Sequence, residues 1–520
     1  MSQQEFAAAI LQGYTFKGDS LLLGKAMLDG QLQPELPIRI PLKMMNRHGL
    51  ISGATGTGKT KTLQVISEGL SDASVPVLLL DIKGDLSGIA AAGAANPKIA
   101  ERVQLMQLET TYTVKNYPVE LLSLSNEPGT KLRASVTEFG PVLLSKILGL
   151  NDTQSSIISM IFKYCDDHQW PLLDLQDLIK VLQWAANEGK SELGTAYGNI
   201  SPASVGTIMR NVIALQQQGA DHFFGERSFD VDDLMRISND GGGMISIVRV
   251  TDMQDKPKLF STFMLQMLSE LYATLPEAGD LDRPKLVMFI DEAHLVFSDA
   301  SPVLVQQIET VIKLIRSKGV GIFFSTQNPM DVPPSVLAQL GLKVQHALRA
   351  FTANDRKTIK QTADNYPETP FYKTEDIITQ LGIGEALITS LNEKGIPTPL
   401  VHTMLCPPRS RMDILTPSEI ATLIQSSTIA SKYNEVVNRE SAYELLTQKL
   451  ATKAAEAAEE AQEKNTKTDN NKEEKGVIES IADNPIVKSM MRTAGNQLVR
   501  SLLGSLGLSG TTRRKKSSWF

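Results

Sequence analysis

Short runs of almost unbroken apolar residues recur along the chain, separated by stretches in which apolar residues return every three or four positions. Val75–Leu80, Met244–Val248, Leu286–Ile290 and Val320–Phe324 are such runs, and they read as strands buried on both faces of a parallel sheet. His48–Ser52 and Lys343–Arg349 read as two more strands, and residues 101–108 (Val103, Leu105, Met106, Leu108) as another. Lys59–Leu70, Lys258–Leu275 and Val303–Lys318 carry helical spacing. Strand and helix in alternation predict an α/β fold, a mostly parallel sheet flanked by helices. Glu385–Ser390 and Thr398–Leu405 predict a closing β-hairpin over Asn392-Glu393-Lys394-Gly395.

The same pattern divides the chain. Residues 1–47 read as a short leader with two strands, Leu21–Gly24 and Ile38–Leu42, expected to pair close to the loop at residues 53–60. Residues 48–127 and 237–405 supply two parts of the α/β core. Between them, 128–236 turns helical, with apolar faces at Val142–Leu148, Ser156–Phe162, Leu175–Ile179 and Val205–Leu215, and predicts a helical insertion or lid. Residues 406–450 predict a helical extension. Residues 451–476, rich in Ala, Glu and Lys, predict a helix fraying into a disordered charged linker. Residues 477–520 predict an amphipathic helix and a basic tail, Arg513-Arg514-Lys515-Lys516 before Trp519-Phe520, either solvated or set against phosphates, anionic lipid or a partner.

Composition narrows the class. With 42% hydrophobic and 21% charged residues among 520, the chain has the balance of a soluble globular protein. No run approaches the roughly 18 apolar residues of a membrane span, and MSQQEFAAAILQGY has no basic leader of a signal peptide. Two distant cysteines, Cys165 and Cys406, argue against a disulfide framework and for a reducing compartment; a cytoplasmic location is expected. His168 and His222 are isolated and are assigned no metal. The net charge of −6 gives no support to a protein coating DNA with its whole surface, but is compatible with a motor that meets nucleic acid through a few loops in a pore.

The candidate chemistry begins at Gly53-Ala54-Thr55-Gly56-Thr57-Gly58-Lys59-Thr60, which fits the phosphate-binding loop G-x-x-x-x-G-K-[ST]. Glycines let the backbone turn successive N–H groups onto phosphate oxygens. Lys59 reaches the β- and γ-phosphates, Thr60 helps hold Mg²⁺, and the following helix adds its N-terminal dipole. Asp81, ending the second buried strand, either lines the site or serves its own loop. Asp291-Glu292, ending another strand, supplies the two carboxylates that hydrolysis needs: Asp291 near Mg²⁺, Glu292 polarising water. A carboxylate base for water points away from kinase chemistry. Gln327, after Val320–Thr326, is placed to sense the γ-phosphate, while Asn328 before Pro329 serves the turn. Arg349, and after it Arg316, are candidates for stabilising transition-state charge or for surface ion pairs; an arginine finger is worth roughly 10³–10⁵ in rate.

As an ordered set, HGLISGATGTGKT, LLLDIKGDLSG, LVMFIDEAHLVF, IRSKGVGIFFSTQNP and HALRAFTANDR resemble the HerA/FtsK superfamily of P-loop ATPases, in particular bacterial YjgR-type proteins with a HerA-like helicase C-terminal domain, over roughly residues 20–405. The resemblance implies a RecA-like core with a helical insertion, Mg²⁺-dependent ATP hydrolysis and often a hexameric ring. It implies site arginines partly donated by a neighbouring subunit, matched here by Arg349 and Arg316, and a γ-phosphate-sensing amide at Gln327. HerA motors dock a nuclease through an N-terminal β-barrel; with about 47 residues ahead of the loop, the barrel is expected to be absent or vestigial, which argues against a nuclease partner. Two functions remain: an oligomeric ATPase that moves DNA, or an ATP-hydrolysing switch or scaffold acting on a protein or membrane partner.

Overall fold

The computed structural model describes residues 2–468 apart from 255, 298–301, 436 and 438. The chain divides into two units, Met1–Leu446 and Thr447–Phe520. All the site residues lie in the first; in the second, the described residues are helical to Thr468. The rest of the expected charged linker, the amphipathic helix and the basic tail fall outside the described residues.

Among the described residues one sheet carries twelve strands: β1 Ser20–Leu28, β2 Gln31–Pro41, β3 Gly49–Ser52, β4 Val77–Asp81, β5 Val119–Ser123, β6 Thr130–Lys131, β7 Ile245–Arg249, β8 Leu286–Ile290, β9 Val320–Thr326, β10 Leu342–Gln345, β11 Glu385–Thr389 and β12 Val401–Leu405. Their order is β2-β1-β12-β11-β10-β3-β9-β8-β4-β7-β5-β6. From β10 to β6 every neighbouring pair is parallel; the β11, β12, β1 and β2 extension is antiparallel.

The apolar runs have a plain cause. Side chains alternate across a strand, and here both faces are covered. Val77, Leu79, Val287, Phe289 and Phe323 join one core with Leu63, Ile66 and Leu70 of the helix Lys59–Asp72. Leu78, Leu80, Met288, Ile290 and Phe324 alternate with them and are equally buried. Each such side chain gains about 1.5–3 kcal/mol from leaving water, so these strands tolerate almost no polar residue until their C-terminal ends.

Residues 128–236 carry helices, among them Val136–Ile147, Asp152–Asp167, Leu175–Ala186 and Pro202–Gln217. Three expectations are corrected. Residues 101–108 supply no strand: Asn96 caps a helix, Pro97–Leu105, whose Val103 packs with Met106, Leu108 and Ile99 while Leu105 is exposed. Those apolar positions follow helical spacing, and the true strand is β5. The leader strands do form, but they pair with each other and β1 with β12, which puts β1 and β2 four and five places from β3 rather than beside the loop; a helix missed in the sequence, Gln3–Tyr14, capped by Ser2 and Glu5, precedes them. The strand expected over Lys343–Arg349 stops at Gln345, because its parallel partner β3 ends at Ser52, to whose carbonyl His346 N still donates, and Ala347 O then accepts from Ala54 N of the loop rather than from a strand.

Candidate active site

Ser52, Asp81, Ile290, Thr326 and Gln345 end parallel strands along one edge of the sheet, the edge where such sheets take ligands. β3 lies between β9 and β10, with Ser52 opposite both Thr326 and Gln345. The loop Gly53–Thr60 leaves from this point. Gly53 N donates to Thr326 O at 3.2 Å and Ala54 N to Ala347 O at 2.8 Å, so both neighbouring strands anchor its start. Gly53 has φ +148°, and a Cβ there would stand 2.5 Å from His346 Cβ; only glycine fits.

His346 backs the loop. Its Nε2 lies 2.9 Å from Thr62 Oγ1 in the helix that follows, and burial, with Lys59 nearby, pushes its pKa down to about 4, which keeps it neutral. Ser52 Oγ donates to Gln345 Oε1 at 2.7 Å. Lys59 is buried, donating to Gly53 O at 2.6 Å and Ala54 O at 3.2 Å. Burial, and then Lys83, lower its pKa.

Asp291 and Glu292 follow β8, two places from β3, a separation of about 10 Å at ordinary strand spacing. Asp291 is 3% exposed; its Oδ1 accepts from Ser325 Oγ at 2.7 Å, while its buried Oδ2 has no hydrogen-bond partner. Burial, with Glu292 beside it, raises its pKa. An orphaned carboxylate oxygen costs free energy unless a cation or its water meets it. Asp291 with the half-exposed Thr60 hydroxyl therefore fits a Mg²⁺ site. No group of three or more His, Cys, Asp or Glu among the described residues could hold a metal, so the ion would depend on substrate phosphates, as Mg²⁺ commonly does.

Glu292 has φ +48°, rare for a side chain of its size and typical of strained sites. Lys83 Nζ contacts its Oε1, and His294 Nδ1 lies 3.2 Å from its Oε2. Burial favours the neutral carboxyl, but the Lys83 charge outweighs it and holds the Glu292 pKa below the ordinary value. Lys83 comes from the loop after β4, which Asp81 organises: its Oδ1 accepts from Gly84 N (2.7 Å) and Asp85 N (3.2 Å), its Oδ2 from Leu86 N (3.1 Å). Burial, then Asp85, push the Asp81 pKa up to about 7. Asp81 thus serves its loop while lining the site.

Gln327 stands exposed just past β9, beside the start of the loop at Ser52–Gly53; Asn328 caps the turn Pro329–Asp331. Two candidates lie apart. Arg349 is exposed, its Nη1 donating to Thr379 O at 2.7 Å. Arg316 sits ahead of β9, at the opposite edge of the sheet, with the seven residues of that strand (about 20 Å) between it and the site. Lys83, Ser325 and His346 were missed. All three sit inside the quoted motifs, but only the neighbour-strand geometry shows what they touch.

A parallel sheet carrying this loop and this acid pair at one edge defines a RecA-like P-loop nucleoside-triphosphatase fold. VirB4 of Thermoanaerobacter pseudethanolicus, 16% identical, shares that fold with a TM-score of 0.50, over 78% of this chain and all of that one. The chain belongs to the helicase HerA-like C-terminal family, which matches residues 27–514. It is similar to the DNA double-strand break repair helicase HerA of Sulfurisphaera tokodaii (24% identical over 68% of this chain) and of Sulfolobus acidocaldarius (21% over 69%). It spans 64% and 66% of the length of those relatives.

Proposed function

We propose that this chain is a Mg²⁺-dependent ATPase that works as a homo-oligomer to move DNA. The observation that carries the hydrolytic half is Asp291 with its orphaned Oδ2 next to a charged, strained Glu292, facing the phosphate loop across β9. The backbone of Gly53–Thr60 and Lys59 bind and orient the triphosphate. Mg²⁺, held by Thr60 and Asp291, would neutralise charge on the phosphates. Glu292 takes the proton of the attacking water, and Gln327 registers the γ-phosphate. Lys59 must exchange its loop carbonyls for phosphate oxygens, a substitution its three donors allow.

The DNA half rests on the two relatives, both helicases of DNA break repair by their names. No helix among the described residues is long and apolar enough to cross a membrane. The test is steady-state ATP hydrolysis with and without single- and double-stranded DNA across salt, with Glu292→Gln as blank. Stimulation that fades as salt rises supports the motor; a rate indifferent to DNA would replace it with the switch or scaffold.

A further inference from the structure

A small cavity opens directly off the phosphate loop, on the side away from the acid pair. It measures about 260 Å³ and is lined by Gly58 and Thr62 of the loop and first helical turn, and by Ile99, Ile383, Pro408 and Met412. Its position follows from the sheet. Asp291 and Glu292 lie beyond β9 on one side of β3, whereas Gly384 and Leu405, at the ends of β11 and β12, lie beyond β10 on the other. Gly384 N donates to Thr57 O at 3.1 Å, which fixes this wall to the loop itself. A triphosphate laid over the loop with its γ end at the acids therefore directs its nucleoside end into this cavity. A larger cavity of about 630 Å³ lies along Val65, Glu68 and Asp72, towards the far end of a helix about 20 Å long, and does not border the loop.

The buried hydroxyl of the small cavity is already committed, and its half-buried cations are partly so. Arg102 donates to Gly384 O (3.2 Å) and Ile383 O (3.0 Å), and Lys61 Nζ donates to Met412 O (2.6 Å) and Gln64 Oε1 (3.2 Å). Thr62 Oγ1 is shared between Gly58 O and His346. The Asn96 carbonyl caps its own helix at Lys98 N, and the Asn96 amide and Lys98 stand exposed at the rim. A site rejects the wrong ligand strongly only when a buried polar group would be left unpaired. Here the buried ones are paired before any ligand arrives, and apolar walls grip any base alike.

We infer that this cavity is the nucleoside pocket, that it holds the base by apolar contact at Ile99, Ile383 and Met412, and that it does not distinguish adenine from guanine. The inference rests on the phosphate-loop reading and adds to it the class of substrate: purine nucleotides without base selection. Ile383 is 75% exposed, so replacing it leaves the core intact.

The test is calorimetric binding of ADP, GDP and pyrophosphate, each with Mg²⁺, to the full chain and to its Ile383→Asp and Ile99→Ser variants. None of these needs turnover, so failure of hydrolysis does not affect the measurement. ADP and GDP are expected to bind within about tenfold of each other, the limit set by weak, exposed polar groups. Each variant is expected to weaken both nucleotides about tenfold and to leave pyrophosphate within about twofold, since the lost contact is to the nucleoside and not to the phosphates. Unchanged nucleotide affinity in both variants overturns the pocket. A preference of about 100-fold for one purine overturns base indifference. If neither pyrophosphate nor ADP binds the unsubstituted chain, and Lys59→Ala changes nothing, the phosphate-loop reading itself falls.

Discussion

At the scale of single residues, the site is a balance of buried charges. Lys59, Asp291 and Glu292 are buried, with the more exposed Lys83 against them; opposite charges favour one another there, while Lys83 opposes Lys59 and Glu292 opposes Asp291. Glu292→Gln removes the proposed proton acceptor with little change of shape. ATP should still bind, while kcat falls by about 10²–10⁴, the usual worth of a general base. Lys83 has a separable effect. Burial alone would raise the Glu292 pKa; Lys83 reverses this and holds it low. In Lys83→Met burial dominates, the pKa rises, and the carboxylate base is lost at a higher pH. The acid limb of the kcat/KM–pH profile should move to higher pH; an unmoved limb would mean Glu292 is not the titrating base. Lys83 was hidden because an Asp-Ile-Lys-Gly-Asp turn reads as solvated loop until β4 and β8 are known to be neighbours.

At the scale of elements, strand ends decide what the site contains. β3, β4, β8, β9 and β10 carry Gly53, Asp81, Asp291, Gln327 and His346 within one residue of their last paired positions. The helix Lys59–Asp72 packs Leu63, Ile66 and Leu70 on the sheet, which fixes the loop between them. Gly53→Ala should therefore both destabilise and disable. It forces a side chain into φ +148° and against His346, a strain of about 1–3 kcal/mol, and should lower the melting temperature together with ADP affinity. The antiparallel extension has its own close approach: a Cβ on Gly24 would meet Met404 O at 2.2 Å. Gly24→Val should pry β1 from β12 and cost stability by about 1–3 kcal/mol, as overpacking does, measured by denaturant unfolding, while β8 and its acids, six places from β1, keep their geometry.

At the scale of the whole molecule, no arginine of the two candidates completes the acid pair within the chain. Arg349 is tied to Thr379 on the β10 side and Arg316 lies at the opposite sheet edge. If Arg349 acts on the neighbouring subunit's site, Arg349→Ala and Glu292→Gln proteins, each inactive alone, should complement when mixed. Random mixing places a wild-type arginine against a wild-type glutamate at roughly a quarter of the interfaces of a symmetric ring. No recovery would remove Arg349 from the mechanism.

The sequence by itself determined the loop, the acid pair, most of the parallel strands and the helical stretch. Each is a local property: a glycine pattern that only one backbone path satisfies, or an apolar run that only burial on both faces explains. It misread residues 101–108, because four apolar residues in eight positions fit both periods until the Asn96 cap and the packing of Val103 choose the helix. Only the tertiary structure decided strand order. That order puts the leader hairpin at the far edge, Lys83 on Glu292, His346 behind the loop, and an apolar cavity on the side of the loop opposite the acids. Contacts between residues hundreds of positions apart leave no periodic trace in the chain that makes them.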